Sequence, residues 1–443
     1  MLILNPLGIL VGLGLGGFFA VVTLVVSKTY PNSNRSNLVG KTVLWGQALT
    51  ICLLWPAREL PGDASRAQRS AIRFELGWLI TTTMCVVLIF ATWKSRRDTS
   101  RVAVVLMLGV FGVAATQLLS SIVADDRLPI SAYAPMFVIG TGLALYPLTF
   151  DEATRCLSQV TALLCGVSIA SMFFARDWAM PVSEERTLPG PFGNLSLGGV
   201  LQHPNLLAPV ASFGLALTLG RTNRSRVPLV LLFFTTIWLT DSRTQIVTVV
   251  LVIAIWGVHQ LFCQFGRRTS TRLLGVVTMC GAAATLAATL FSNWRIDSRN
   301  FDLARRPELW SKAIEYWQSS KLVGVGSAAF DVNYRRESGN QGALGAHNQL
   351  LQSLASEGIL GVIPVLLVFC LVVHAIVRAH ASVKLSFGLV GVVGLTMFAV
   401  ETPLQLQLHR AGHIFLYVSV FVVLVTASMV MNIPESSSLE DHT

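Results

Sequence analysis

The sequence predicts an all-α, polytopic integral membrane protein of about 12–13 transmembrane helices with one large extracytoplasmic loop. Three observations carry this. Charged residues make up 13% of the chain, against roughly 25% in soluble domains, and 53% of residues are hydrophobic. Apolar runs of about 20 residues, the length that crosses a bilayer, recur along the chain. Lipid offers no partner to an unpaired backbone amide, so each such run is predicted to be a helix.

Taken in order, the windows centre on residues 3–26, 38–56, 76–93, 102–124, 128–150, 156–174, 205–220, 227–241, 245–262, 273–291, 358–377, 385–404 and 414–431. The first has no basic residues ahead of it and is too long for a signal h-region, so it is expected to be a span. The chain divides into N-terminal transmembrane helices (1–190), a core with its extracytoplasmic loop (191–375, loop 292–346), C-terminal transmembrane helices (376–433) and a short acidic tail (434–443). No internal repeat and no separate soluble domain is visible. The seven cysteines lie in or beside apolar windows and none forms a Cys-x-x-Cys pair. They read as small buried hydrophobes, with neither a metal site nor a disulfide framework.

The net charge of +10 sets orientation rather than nucleic-acid binding, because basic loops stay on the cytoplasmic side. Counting thirteen spans puts the loops with Lys94, Arg96 and Arg97, with Arg221, Arg224 and Arg226, with Arg267, Arg268 and Arg272, and with Arg378 and Lys384 on one side. The N-terminus is then outside and the C-terminus inside. Residues 57–75 break the pattern with Arg58, Arg66, Arg69 and Arg73, diluted by Glu59, Asp63 and Glu75.

Two long loops, 175–204 and 292–346, fall outside. Loops of such length are usually functional or disordered. The second contains PELWSKAIEYW, with Leu309, Trp310, Ala313, Ile314 and Trp317 on one helical face. Pro307 suits the first turn of a helix and Glu308 its positive end. This amphipathic helix either lies on the membrane face or packs on the bundle.

The same outer face carries His203, His347, His409 and His413, and Arg243, Arg295, Arg299, Arg305, Arg306, Arg335, Arg336 and Arg410. Arginines are normally avoided on that side, so their presence asks for an anionic partner. Their planar forks bind phosphate oxygens in pairs and keep their charge. Imidazole titrates near neutral pH and serves as a base, while arginines stabilise a diphosphate leaving group. Each residue also has a plainer reading. An outer arginine can bind lipid headgroups, and His347 can simply cap the helix that begins HNQLL.

Three stretches follow one another in order: LTDSRTQ (Leu239–Gln245), RPELWSKAIEYWQSSKLVGVGSAAF (Arg306–Phe330) and AHNQLLQSLASEGILGV (Ala346–Val362). Together they resemble the O-antigen ligase and O-antigen polymerase superfamily. Its signature is Ser-Arg after a span, Arg-x-x-x-Trp and Gly-x-Gly in a large outer loop, then His-Asn and a helix with Glu-x-Gly-x-x-Gly. GVLQHPNLLAPVA (Gly199–Ala211) is similar to a further family stretch, and the likeness spans about residues 195–375.

The resemblance implies a metal-independent glycosyltransferase without cofactor, in the bacterial cytoplasmic (inner) membrane. It would move a glycan from undecaprenyl diphosphate to an acceptor hydroxyl on the extracytoplasmic face, in O-antigen or exopolysaccharide synthesis. Its partners would be the lipid-linked donor, a glycan or lipid-linked acceptor and the bilayer, with no nucleic acid. Polymerisation is slightly preferred over ligation. The resemblance makes His347 the catalytic residue and Arg243 and Arg306 the diphosphate-binding pair, with His203, Asn205 and Arg410 as secondary site residues. His203 and Asn205 can equally cap a helix. Gly358 and Gly361 are expected to let helices approach, Glu357 to make a helix–helix hydrogen bond, and Gly324 and Gly326 to form a turn. The alternative is a polysaccharide or lipid-linked glycan transporter or flippase. Against it, Lys41 and Glu401, the main charges within windows, lie near the window ends, and no inverted repeat is seen.

Overall fold

The computed structural model describes residues 35–53, 79, 82–83, 85–90, 101–124, 133–180, 195–201, 203–220, 226–263, 306–326, 329–330, 345–381, 385–404 and 420–428. The expected spans at 3–26 and 273–291, residues 57–75, most of the large loop, Arg410 and the tail lie outside them. Among the described residues the regular structure is helical. The elements are α1 (Arg35–Leu53), α2 (Arg101–Val123), α3 (Tyr133–Leu145), α4 (Phe150–Phe174), α5 (Arg176–Ala179), α6 (Pro204–Leu219), α7 (Arg226–Thr240), α8 (Arg243–Cys263), α9 (Arg306–Ser319), α10 (Gln349–Ala381) and α11 (Leu385–Val400). Residues 420–428 are also helical.

Four helices are long and apolar enough to cross a membrane: Val104–Val123, Phe150–Phe174, Arg243–Leu261 and Gln349–Val377. Pro204–Leu219, Arg226–Thr240 and Gly388–Ala399 are shorter apolar helices. The protein is thus an all-α, polytopic membrane protein. Hydroxyl side chains inside these helices bond back to carbonyls one turn earlier, as Thr161 does to Leu157 and Thr218 to Gly214. A polar group is satisfied in this way without leaving its own helix.

α10 packs against α2, α9 and α11, while α6 packs against α4, α7 and α11. Small residues permit the tight contacts: a Cβ on Gly214 would lie 2.3 Å from the Phe233 ring, so α6 and α7 meet there. Phe398 stacks on Phe421 with centroids 5.4 Å apart, joining α11 to the helix at 420–428. Leu231, Phe234 and Trp238 on α7 and Val247 and Val250 on α8 are exposed, an apolar exterior suited to lipid. Lys41 pairs with Glu152 at 2.7 Å, holding α1 to the first turn of α4.

α9 packs on the bundle. Leu309 and Ala313 are buried against Leu351 and Ala355 of α10, together with Ala346 and Phe330. Of the two placements open to this amphipathic helix, the fold takes that one.

α10 begins at Gln349, well before the apolar window at 358, and is broken at Gly358, where φ is 65° and ψ is −158°. Only glycine tolerates this conformation readily. The break frees backbone groups, and the turn after α9 binds them. Ile359 N–H donates to Lys321 O at 2.9 Å, Leu360 N–H to Leu322 O at 3.2 Å, and Val325 N–H to Ala355 O at 2.9 Å. Ser120 Oγ on α2 hydrogen-bonds Ser356 O. Gly358 therefore serves not a helix–helix contact but a seat for the turn, whose glycines Gly324 and Gly326 have φ of 67° and 74°.

Candidate functional site

The site is assembled where four elements end. α8 starts with Arg243-Thr244, α9 starts with Arg306, His347 stands just before α10, and Glu401 follows α11. A short turn between α7 and α8 delivers Arg243. Within it Asp241 has φ of 49°, and Ser242 O accepts from Gln245 N–H at 2.9 Å. Leu197 N–H donates to Leu239 O at 2.9 Å, which ties the segment ahead of α6 to this turn.

His347 is not the cap of its helix. The neighbouring Asn348 caps it, with Oδ1 accepting the N–H of Leu351 at 3.1 Å. Asparagine is among the best residues for this task. His347 instead adopts φ of 47°, in the left-handed region uncommon for residues other than glycine. Such a conformation costs on the order of 1–3 kcal/mol and persists where the surroundings fix it. Both flanks are fixed here. Ala346 O accepts from Trp310 Nε1 at 2.9 Å and Ala346 N–H donates to Gln352 Oε1 at 2.7 Å. On the other side Asn348 Nδ2 donates to Ala399 O at 3.0 Å.

The consequence is that His347 Nδ1 lies 3.2 Å from Glu401 Oε2. Arg306 Nη2 lies 3.6 Å from the other carboxylate oxygen of Glu401 and donates to Thr244 Oγ1 at 3.3 Å. The Arg306 and Glu401 side chains are only 12% and 13% exposed, so the pair is shielded from bulk screening, whereas Arg243 is exposed. A carboxylate only accepts hydrogen bonds. Facing Glu401, the His347 ring is placed to donate from Nδ1, and its neutral form with the proton there would present the Nε2 lone pair. The same carboxylate orients the Arg306 guanidinium, and the bond to Thr244 holds it at the first turn of α8. Chemically the arrangement holds an imidazole in a fixed orientation against a carboxylate, with the Arg306 guanidinium on the same carboxylate and the exposed Arg243 next in sequence to Thr244.

Of the residues singled out in the sequence, the structure joins His347 and Arg306 through Glu401, and Arg306 also bonds Thr244, the chain neighbour of Arg243. His203 caps α6, its Nδ1 accepting the N–H of Asn205 at 3.2 Å, and Pro204 fills the first helical position. Glu357 is buried and hydrogen-bonds Ser353 within its own helix. Arg410 lies outside the described residues. Glu401 and Thr244 were missed as site residues. The signal for Glu401 was its place: a carboxylate closing an apolar span, two residues before Pro403, requires a partner.

Residues 228–366 match the family model described as O-antigen ligase. The match takes in Arg243, Thr244, Arg306, His347 and the break at Gly358, and it stops before Glu401. No curated protein matches the chain.

Proposed function

Through residues 228–366 the chain belongs to the O-antigen ligase and polymerase superfamily, and from that premise we propose a transfer of glycan from undecaprenyl diphosphate to an acceptor hydroxyl, with His347 as the base. The observation that carries this reading is the pairing of His347 Nδ1 with Glu401 at 3.2 Å, which leaves Nε2 to receive a proton.

In the step proposed, the acceptor oxygen attacks the anomeric carbon of the donor sugar. The hydroxyl proton passes to His347 Nε2, and the bond from that carbon to the diphosphate oxygen breaks. Undecaprenyl diphosphate departs with the electron pair. Arg243 and Arg306 neutralise the charge it gains; a fork fits two phosphate oxygens at once. Exposed Arg243 meets the arriving diphosphate, and Arg306 holds it against the base. The site stands at the end of the bundle because the donor's polyprenyl tail stays in lipid while the acceptor comes from water. That end is the extracytoplasmic one under the charge distribution of the loops, and the membrane is the bacterial inner membrane. Polymerisation of lipid-linked repeat units is preferred over ligation to a different terminal acceptor.

A broken span is also a feature of transporters, where freed backbone groups bind ions. Here the groups freed at Gly358 are bonded to Lys321, Leu322, Val325 and Ser120, which favours the enzyme.

The test is a pair of substitutions. A general base contributes about 10²- to 10⁴-fold in rate. His347→Ala is expected to lose transfer by that factor while inserting normally and still binding donor. His347→Gln keeps hydrogen bonding but accepts no proton near neutral pH, so it should fail equally. Near-normal turnover by the glutamine variant reduces His347 to an orienting group and ends the base reading.

A further inference from the structure

We propose that Gln117 on α2 is a positioning residue for this site, fixing the segment that carries Glu401 so that its carboxylate meets His347. The inference rests on the functional reading above and extends the machinery to a helix outside the family match.

Gln117 is a long amide in an apolar spanning helix, and it is buried, with only 7% of its surface exposed. A buried amide must find partners. Its Nε2 donates to Leu404 O at 3.0 Å, across 287 positions of sequence. The N–H of the same residue, Leu404, donates to Gln349 Oε1 at 2.7 Å. Two buried glutamines thus hold both backbone groups of Leu404. Ahead of Glu401, Ala399 O accepts from Asn348 at 3.0 Å. The stretch 399–404 is therefore tied on both sides of Glu401. It needs such ties, because Pro403 has no N–H to offer a turn of its own.

Asn348 and Gln349 are the two residues after His347, so their bonds move with the base. Gln117 differs, because it anchors the Glu401 segment to α2. That helix is in turn pressed on α10. A Cβ on Gly112 would lie 2.8 Å from Pro364, and one on Gly109 would lie 3.0 Å from Val368. One turn beyond Gln117, Ser120 Oγ reaches Val323 O at 2.6 Å and Ser356 O at the break of α10. One face of α2 thus grips α10 below the break, the turn at the break and the Glu401 segment. It is a common frame for the two partners of a single hydrogen bond. Misplacing a catalytic group by about 1 Å can cost on the order of 10²-fold.

The test uses the full-length protein in lipid nanodiscs, with undecaprenyl-diphosphate glycan extracted from the host's own membranes. Gln117→Met keeps the shape and removes the donor. It is expected to lower kcat about 10- to 100-fold per folded molecule and to raise KM for the extract by much less, since Arg243 is untouched and Arg306 keeps its bond to Thr244. The decisive measurement is a double-mutant cycle. Glu401→Asp shortens the side chain so that it no longer reaches His347. In that background Gln117→Met should cost less than about twofold. The proposal is overturned if the full loss persists in the Glu401→Asp background. Wild-type kcat in Gln117→Met overturns it too, as does a fall in folded protein alone with normal turnover per molecule. Failure of the underlying reading looks different: His347→Ala then transfers glycan normally, whatever Gln117 does.

Discussion

Replacing Gly358 by alanine tests whether the break in α10 is part of the architecture of the site. With φ of 65° and ψ of −158°, the residue occupies a region essentially reserved for glycine. Adopting it with a side chain costs about 1–3 kcal/mol. Space forbids the change as well. The new Cβ would lie 2.4 Å from the carbonyl carbon and oxygen of Leu322 and 2.6 Å from Val323 N, all backbone atoms that no rotamer change moves. The turn must withdraw, and with it go the bonds from Ile359 to Lys321 and from Leu360 to Leu322. At about 1 kcal/mol for each, the total is about 3–5 kcal/mol, or a factor of roughly 10²–10⁴ in the ratio of closed to open turn. Hydrogen exchange followed by mass spectrometry reads this directly. Peptides covering 321–326 and 349–362 should exchange faster by that factor, and glycan transfer should fall because α9 and its Arg306 are continuous with the turn. Gly166→Ala is the control, since nothing lies within 4 Å of a Cβ there. Wild-type exchange and transfer in Gly358→Ala would refute the reasoning.

Two further outcomes concern the charges. Glu401→Gln presents an amide to His347 Nδ1 and frees the ring to carry its proton on Nε2. Transfer should fall about 10²-fold or more, and donor binding should change as well because Glu401 also pairs with Arg306; wild-type turnover in membranes would detach Glu401 from the chemistry. Arg243→Lys keeps the charge but loses the fork, so transfer should drop strongly at low donor and recover in part at high donor. An unchanged dependence on donor concentration would return Arg243 to headgroup binding.

The spans were legible because lipid imposes a composition and a length that a single sequence displays. α2, α4, α6, α7, α8, α10 and α11 lie where apolar windows fall. Less visible was how α10 begins. Its first turns, Gln349 to Ser356, carry four polar side chains and look like a loop entering a membrane. They are helical because Asn348 caps them, and because Gln349 and Gln352 are consumed by Leu404, Ala346 and their own helix. The break at Gly358 was hidden for a similar reason, since a glycine in an apolar run reads equally as a close packing contact. The role of Glu401 depends on residues 54 and 95 positions away, and such pairings leave no local periodicity to read.

The division of labour across the chain follows from these distances. Arg243, Arg306 and His347, the groups proposed to touch donor and acceptor, all lie within 228–366. What holds them in register lies outside: Glu401 beyond α11 and Gln117 and Ser120 on α2. The proposed base, His347, keeps its contact with Glu401 only while α10 and α11 keep their spacing. A hydrogen bond between two chain segments is a poor ruler unless both rest on something rigid. α2 supplies that surface, because its glycines let it lie hard against α10 while its last turns remain polar enough to bind main chain. Glycine low on the helix and glutamine or serine near its end are thus two halves of one requirement, close contact in lipid and directional contact at the water boundary.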